Sequence, residues 1–490
     1  MNKIKIHIYL IILVVFALVS TNLVYAQENM SSDNIIQPYH ENPWYWQYKG
    51  EPIMLIGGSD EDNLWQWTGE QLTDHLDLLK SVGGNYVRNT MSDRDDGNVF
   101  AVREIDDGMY DLTQWNEEYW NRLEYFLDLT EKREIIVQLT LWDWFDLLYG
   151  RFPVHPLNPE NNINWEPGTI ENNRDFYGGS LREKKEPVLE YQYRYIDKLL
   201  SITLNYEHIL YNIQNESTLG AEWENYWAKY LKDVATSRDK KIHITSMQLI
   251  PGNSVRHVMT YRDLYSFAEV SQNNQNAAGA VGYEHYENLI YWRNMIESQQ
   301  EGPMPMNNEK IYGTGTGENS GAGTEIEAIE RFWRNIFAGS ASVRFHRPAN
   351  GWWGIGLTES AQRTIKAASM FLEEFDVFNS KPYAGCETIG NSIHADYCLA
   401  NVGNEYAVYF PNGRSTVVLD PWVYMHEVNI KWLNLTNGEW EKEETKTLDW
   451  TEVPWFGPDR VLIISPGAGV GGPDDGYGSG DSFIGIIRPK

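Results

Sequence analysis

The chain has 490 residues, room for one large domain and a smaller one. Forty basic against 69 acidic residues leave a formal charge of −29, which repels phosphate backbones and anionic lipid surfaces and so excludes nucleic-acid binding. Hydrophobic residues at 42% and aromatic residues at 13% exclude a disordered chain.

In chain order, the first segment is an export leader over residues 1–26. Lys3 and Lys5 precede an apolar run too short to span a bilayer, and Val24-Tyr25-Ala26 supplies a cleavage site. The expectation is a secreted protein, periplasmic or extracellular, beginning at Gln27 and with no transmembrane segment. From about 50 to 375, in a domain expected over 27–375, short apolar strands alternate with helical periods. The predicted strands are 53–57, 86–89, 135–141, 209–214, 242–247, 267–271, 311–314 and 342–345. Thr68 and Gln71 form a capping box before Leu72, Leu76 and Leu79 on one helix face. Trp223, Tyr226, Trp227, Tyr230, Leu231 and Val234 mark another face. Thr324 with Glu327 caps a helix whose predicted buried stripe is Ile326, Ile329, Trp333 and Ile336. Eight such units fit a closed (β/α)8 TIM barrel, an α/β fold, and no Gly-rich dinucleotide fingerprint follows the first strand.

After Phe375 the helical period stops. Short runs at 405–410, 415–419, 428–433 and 460–464, with turns at Pro411-Asn412-Gly413 and Thr436-Asn437-Gly438, predict a small all-β sandwich domain over 376–466. The Gly- and Asp-rich stretch from 467 to 490 reads as a flexible tail. Cys386 and Cys398 are the only cysteines; they either pair or remain buried thiols, and they exclude a Cys-rich metal framework. No cofactor or metal is expected, and the oligomeric state stays open.

In a (β/α)8 barrel the reactive groups stand at the carboxyl ends of the strands. Asn215-Glu216 ends the fourth predicted strand, and Glu318 follows the seventh. Two carboxylates facing across the barrel mouth suit glycosidic cleavage, in which one protonates the leaving oxygen and the other attacks or stabilises the anomeric carbon. A lone Glu there would be a solvated loop charge, and Asn215-Glu216-Ser217 also matches a glycosylation sequon by chance. Arg88, on the second strand, would hold the Glu318 carboxylate ionised or serve as a structural barrel ion pair.

Gly84-Asn85-x-x-Arg88, Asn215-Glu216 and Glu318, in this order and at these strands, resemble the large clan of retaining glycoside hydrolases built on (β/α)8 barrels. The entry Trp46-Gln47-Tyr48-Lys49-Gly50-Glu51-Pro52 into Leu55-Ile56-Gly57-Gly58 resembles apiosidase-like hydrolases. Trp432-Leu433-Asn434 and Asn437-Gly438-Glu439-Trp440 resemble the collagen-binding-type β-domain that closes those proteins. The resemblance implies Glu216 as acid/base, Glu318 as nucleophile, Asn215 on the sugar 2-hydroxyl and Arg88 supporting the nucleophile. Two departures stand out. Ser271-Gln272-Asn273-Asn274 ends the sixth strand where many clan members carry Tyr or His, and Gly313, Gly315 and Gly317 loosen the approach to Glu318, so that Glu269 or Glu284 are substitutes for it.

Trp65, Trp67, Trp142, Trp144, Trp352 and Trp353 follow predicted strands and are either sugar platforms or core. Asp143 is a sugar hydroxyl acceptor or a helix cap, and Asp60-Glu61-Asp62 a solvated loop or a sugar or calcium ligand. Arg344, His346 and Arg347 suggest a carboxylate or sulfate on the substrate, or pairing with acidic loops. The expected partner is a plant or algal polysaccharide, possibly anionic, cleaved with retention. The alternatives are a uronate lyase and a non-catalytic glycan-binding protein on the same scaffold.

Overall fold

The computed structural model describes residues 34–490 except 107, 149, 251, 275–282, 314–322, 348–353, 389–396, 412–415, 420–426, 448–460 and 465–480. The leader, Glu318, Trp352 and Trp353 therefore lie outside the described residues. Eight parallel strands carry the first domain: β1 Leu55–Ser59, β2 Tyr86–Thr90, β3 Ile136–Asp143, β4 Ile209–Asn215, β5 Ile244–Thr245, β6 Ala268–Glu269, β7 Met306–Ile311 and β8 Ser342–His346. They pair in the order β5-β4-β3-β2-β1-β8-β7-β6. Between β5 and β6 the Ser266 N–H donates to the Ile244 carbonyl at 3.0 Å and the Thr245 hydroxyl to the Phe267 carbonyl at 2.8 Å, which completes the ring. Each strand is followed by a helix: α1 Gly69–Ser81, α2 Glu117–Lys132, α3 Glu186–Thr203, α4 Ala221–Ser237, α5 Asn253–Thr260, α6 Tyr283–Glu297, α7 Glu325–Phe337 and α8 Glu359–Glu374. This is the (β/α)8 barrel that the alternation predicts.

The seventh strand is displaced from its expected place at 311–314: it ends at Ile311. It escapes an apolar-run criterion because Met-Asn-Asn-Glu-Lys-Ile is polar, and its polar side chains are buried in the barrel. Leu72, Leu76 and Leu79 are buried as expected, although Thr68 makes no side-chain cap. The Thr324–Glu327 capping box forms in both directions, whereas Ile326 at its start is 59% exposed, because the first helical turn projects beyond the barrel packing.

A three-stranded sheet (Gln37–Pro38, Trp46–Tyr48, Glu51–Ile53) turns through Lys49 and Gly50, both at positive φ, as a two-residue hairpin demands. Ile36, Trp46 and Tyr48 pack with Leu55, Tyr86, Ile136, Leu210 and Phe267, near the amino ends of the strands, and close that end of the barrel. The opposite end holds the strand termini that build the site.

The second domain contains β9 Lys381–Pro382, β10 Cys386–Thr388, β11 Cys398–Asn401, β12 Glu405–Phe410, β13 Thr416–Leu419, β14 Glu427–Asn434, β15 Glu439–Trp440, β16 Glu444–Thr447, β17 Val461–Ile464 and β18 Phe483–Pro489. The larger sheet runs β9-β11-β12-β18-β14-β15 with β16 also on β14, and the smaller runs β10-β13-β17. β18 corrects the expected tail: residues 483–489 sit between β12 and β14 as the central strand of the larger sheet. Their alternation was hidden behind the Gly/Asp-rich composition before them. Phe483 and Ile487 enter the sandwich core while Ile484 and Ile486 join the core shared with the barrel. Cys386 and Cys398 form a disulfide, with Cα atoms 6.4 Å apart. Tyr409 packs on Phe337 of α7, and Glu374 of α8 pairs with Lys431 at 2.6 Å and Arg488 at 2.7 Å, joining the domains.

Candidate active site

The barrel interior is unusually polar. Arg88 of β2 and Gln138 of β3 are register partners and so face the same side. Gln138 accepts from Tyr86 Oη at 2.7 Å and Asn307 Nδ2 at 2.8 Å, and its own Nε2 donates to Glu269 at 3.0 Å and to Glu309. Glu269 and Glu309 thus share one amide. Burial raises the pKa of both carboxyls. Glu309 has the Arg88 guanidinium at 2.9 Å, with Lys310 and Arg344 close by. Glu269 has no such ion pair, and burial with the Glu309 charge pushes it up to about 8. Of the two, Glu269 is therefore the one that holds a proton more readily.

At the carboxyl end of β4, Asn215 is 3% exposed and accepts from Arg88 Nη2 at 2.9 Å and Lys310 Nζ at 2.8 Å while donating to Asp143 at 3.2 Å. Those bonds use both lone pairs of the amide oxygen and one of its two N–H donors. Glu216 follows with φ 56°, a left-handed conformation costly for a side chain with a Cβ and concentrated at functional sites. Its Oε1 accepts from Lys310 Nζ at 2.5 Å and Gln272 Nε2 at 2.7 Å. Burial, the largest single influence, raises this carboxyl, but Lys310, Gln272 and Arg88 together outweigh it and the pKa falls.

Around this pair the rim is held by charge. Asp62 receives Arg88 at 2.8 Å, Arg94 at 3.3 Å and Arg347 at 2.9 Å; the three guanidiniums overcome burial and hold it well below the usual carboxylate range. Glu61, Asp62 and Asp95 approach one another as metal ligands would, yet the same guanidiniums already compensate Asp62. Asp143 pairs with Arg94 at 3.0 Å and caps the turn after β3 by accepting from the Phe145 N–H at 3.0 Å, so both its oxygens are engaged by protein.

Several expected sugar contacts are corrected here. Arg344 has no exposed surface; it donates to the Glu309 carbonyl at 2.7 Å, to His346 Nδ1 at 2.8 Å and to Ser59. His346 is buried beside Arg344, Arg347 and Arg88, and burial and those charges hold its pKa far below normal, so it stays neutral. Neither can neutralise a substrate carboxylate or sulfate, and Arg347 is spent on Asp62. Trp142 is 5% exposed among Tyr195, Phe176, Trp223 and Trp227, while Trp65 donates to the Thr90 carbonyl at 2.9 Å and Trp144 stacks on Tyr177. These three indoles are core, because the loops after β1 and β3 fold back on α2 and α3. Trp142 and Asp143 do line a cavity of about 40 Å³ with Asp93, Asp146, His155 and Tyr177, but neither Glu216 nor Glu309 reaches it.

Glu269, a suggested substitute for Glu318, lies in the interior as Glu309's neighbour. Glu284 is the second residue of α6, and its side chain is outside the described residues. The residues that sequence reading missed are Glu309 and Lys310. The one signal for them was the run Asn307-Asn308-Glu309-Lys310 just before the apolar pair Ile311-Tyr312.

No family model matches the chain, and no curated protein matches it by sequence. Solved structures do. A glycoside hydrolase family 5 protein from Bacteroides vulgatus superposes with a TM-score of 0.62 at 14% identity, covering 94% of this chain and 95% of its own. A structure described as a glycoside hydrolase gives 0.63 at 12% over 94% and 98%. A second glycoside-hydrolase-like structure from Bacteroides vulgatus gives 0.62 at 11% over 94% and 83%. At such identities the likeness is one of fold, and it extends through both domains.

Proposed function

We propose that this protein is an exported glycoside hydrolase that cleaves a polysaccharide with retention of configuration. The observation that carries the reading is the convergence of two buried carboxylates from β4 and β7 on one frame of ion pairs and hydrogen bonds. Arg88 touches Glu309 and Asn215, and Lys310 touches Asn215 and Glu216. Glu309 takes the nucleophile role that the sequence pattern gave to Glu318. Its Oε attacks the anomeric carbon while Glu216 gives a proton to the leaving oxygen; then water, deprotonated by Glu216, releases the sugar. Asn215 meets the sugar 2-hydroxyl from beside the acid. Solved proteins of the same fold described as glycoside hydrolases support the reading.

The test is kinetic. A panel of aryl and alkyl glycosides identifies a substrate, and the anomeric configuration of the first product is read by NMR. Glu309→Gln is expected to lower kcat by about 10³-fold or more for every substrate. Glu216→Gln should spare the first step for an acidic leaving group alone, and azide should rescue Glu216→Ala with a retained glycosyl azide. An inverted product, or Glu309→Gln acting like the parent, overturns the assignment. Intact mass of the secreted protein should place its first residue at Gln27.

A further inference from the structure

Consecutive residues of a regular strand point to opposite faces. Glu309 and Lys310 are consecutive on β7, yet both reach into the site, one to Arg88 and the other to Glu216. The pairing of β7 with β8 shifts register between Asn308 and Ile311, and such an irregularity is how a strand re-aims a side chain. The result is a lysine only 2% exposed, with its Nζ 2.5 Å from Glu216 and 2.8 Å from Asn215.

A general acid must carry a proton before the first step, and a carboxylate held by an ammonium does not. The groups facing Glu216 are Lys310, Gln272, Arg88 and Tyr312; those facing Lys310 also include Glu309. Gln272 is neutral, Arg88 does not release protons in a protein, and burial holds the Tyr312 phenol far above neutrality. Burial also lowers the Lys310 pKa, so its proton is the transferable one.

We propose that Lys310 stores the catalytic proton of Glu216, an inference that rests on the hydrolase reading above. The proton moves from Lys310 Nζ to Glu216 Oε1 and on to the glycosidic oxygen as Glu309 forms its bond to the anomeric carbon. That step leaves a neutral amine and a carboxylate. In the second step Glu216 takes a proton from the attacking water and returns it to Lys310, so the pair ends as it began. Lys310 is a positioning residue: it acts through Glu216.

Lys310→Arg and Lys310→Met test the idea on an alkyl glycoside and on an aryl glycoside with an acidic leaving group. Arginine keeps the charge and the donors but holds its proton, so Lys310→Arg should lose about 10²-fold or more in kcat on the alkyl substrate while largely keeping the aryl one. In Lys310→Met, burial of Glu216 is opposed only by Gln272 and Arg88, and its pKa rises. The protonated acid is then lost when pH rises through that single carboxyl rather than through the lysine–carboxyl pair, so the alkaline limb of kcat/KM should move acidward by about one pH unit or more. A Lys310→Arg enzyme equal to the parent on both substrates makes Lys310 a mere charge and overturns the proposal, with the hydrolase reading intact. Equal losses on both substrates make it structural and overturn it too. If Lys310→Arg does not fold, an unmoved alkaline limb in Lys310→Met is decisive against it. A parent that cleaves no glycoside removes the hydrolase reading and this inference together.

Discussion

Two buried interiors lie side by side in this molecule. Inside the barrel, Arg88, Arg344, Lys310, Glu269 and Glu309 are all at most 2% exposed. Inside the sandwich, Tyr406, Val408, Phe410, Val428, Ile430, Trp432 and the Cys386–Cys398 bridge are buried as deeply. The energetics are opposite. Apolar burial yields about 25 cal/mol for each Å² removed from water, whereas taking ions out of water costs several kcal/mol apiece, recovered only by good mutual pairing. The sandwich interior is a source of stability; the barrel interior draws on stability from the apolar shell between strands and helices. A chain that keeps five ionisable groups in such a place holds them in position for a site.

Breaking one partner in each interior exposes the contrast. Arg88→Met leaves Glu309 buried without its guanidinium and takes from Asp62 one of its three, so a loss of about 3–5 kcal/mol in denaturant unfolding is expected together with loss of turnover. Trp432→Ala opens the sandwich core and is expected to cost about 3–5 kcal/mol, yet kcat should remain, since no site residue touches it. Calorimetry and steady-state kinetics on the two variants separate the cases; equal kinetic damage from both would erase the distinction. Replacing Cys386 and Cys398 by Ala opens a loop of sequence separation 12 and should cost about 3 kcal/mol, again without a change in kcat. Ile326→Ala sits at the exposed start of α7 and should shift stability by less than about 0.5 kcal/mol. A large effect there would mean that this isoleucine is covered in solution.

Much of the architecture was legible because its causes are local. The strand at 405–410 alternates and is bounded by turn residues, and it forms where the pattern places it. Leu72, Leu76 and Leu79 repeat at helical spacing and share one buried face. Asn215-Glu216 at the end of an apolar strand was readable for the same reason: the period-2 run Ile209 to Asn215 sets where β4 stops. Where the expectations failed, a non-local partner decided. The Gly/Asp-rich tail hid β18, which becomes a strand only because β12 and β14 flank it on both sides. Arg344 and His346 look like a basic patch in one dimension and are interior supports in three, since β8 turns them toward Glu309 and Ser59.

By itself, then, the sequence determined the alternating barrel, the appended sandwich and one carboxylate of the site, all consequences of periodicity, turn chemistry and strand ends. Tertiary structure alone shows that a second buried carboxylate, Glu309, stands on the frame that holds it. The polar run of β7 carries no apolar period to announce a strand, and Glu309 acquires its meaning only when closure of the barrel brings Arg88 from β2 to 2.9 Å and a register shift carries Lys310 to Glu216. Contacts between residues more than two hundred positions apart, as Arg88 and Glu309 are, leave no trace in local pattern, because what selects them is the low-dielectric interior they share.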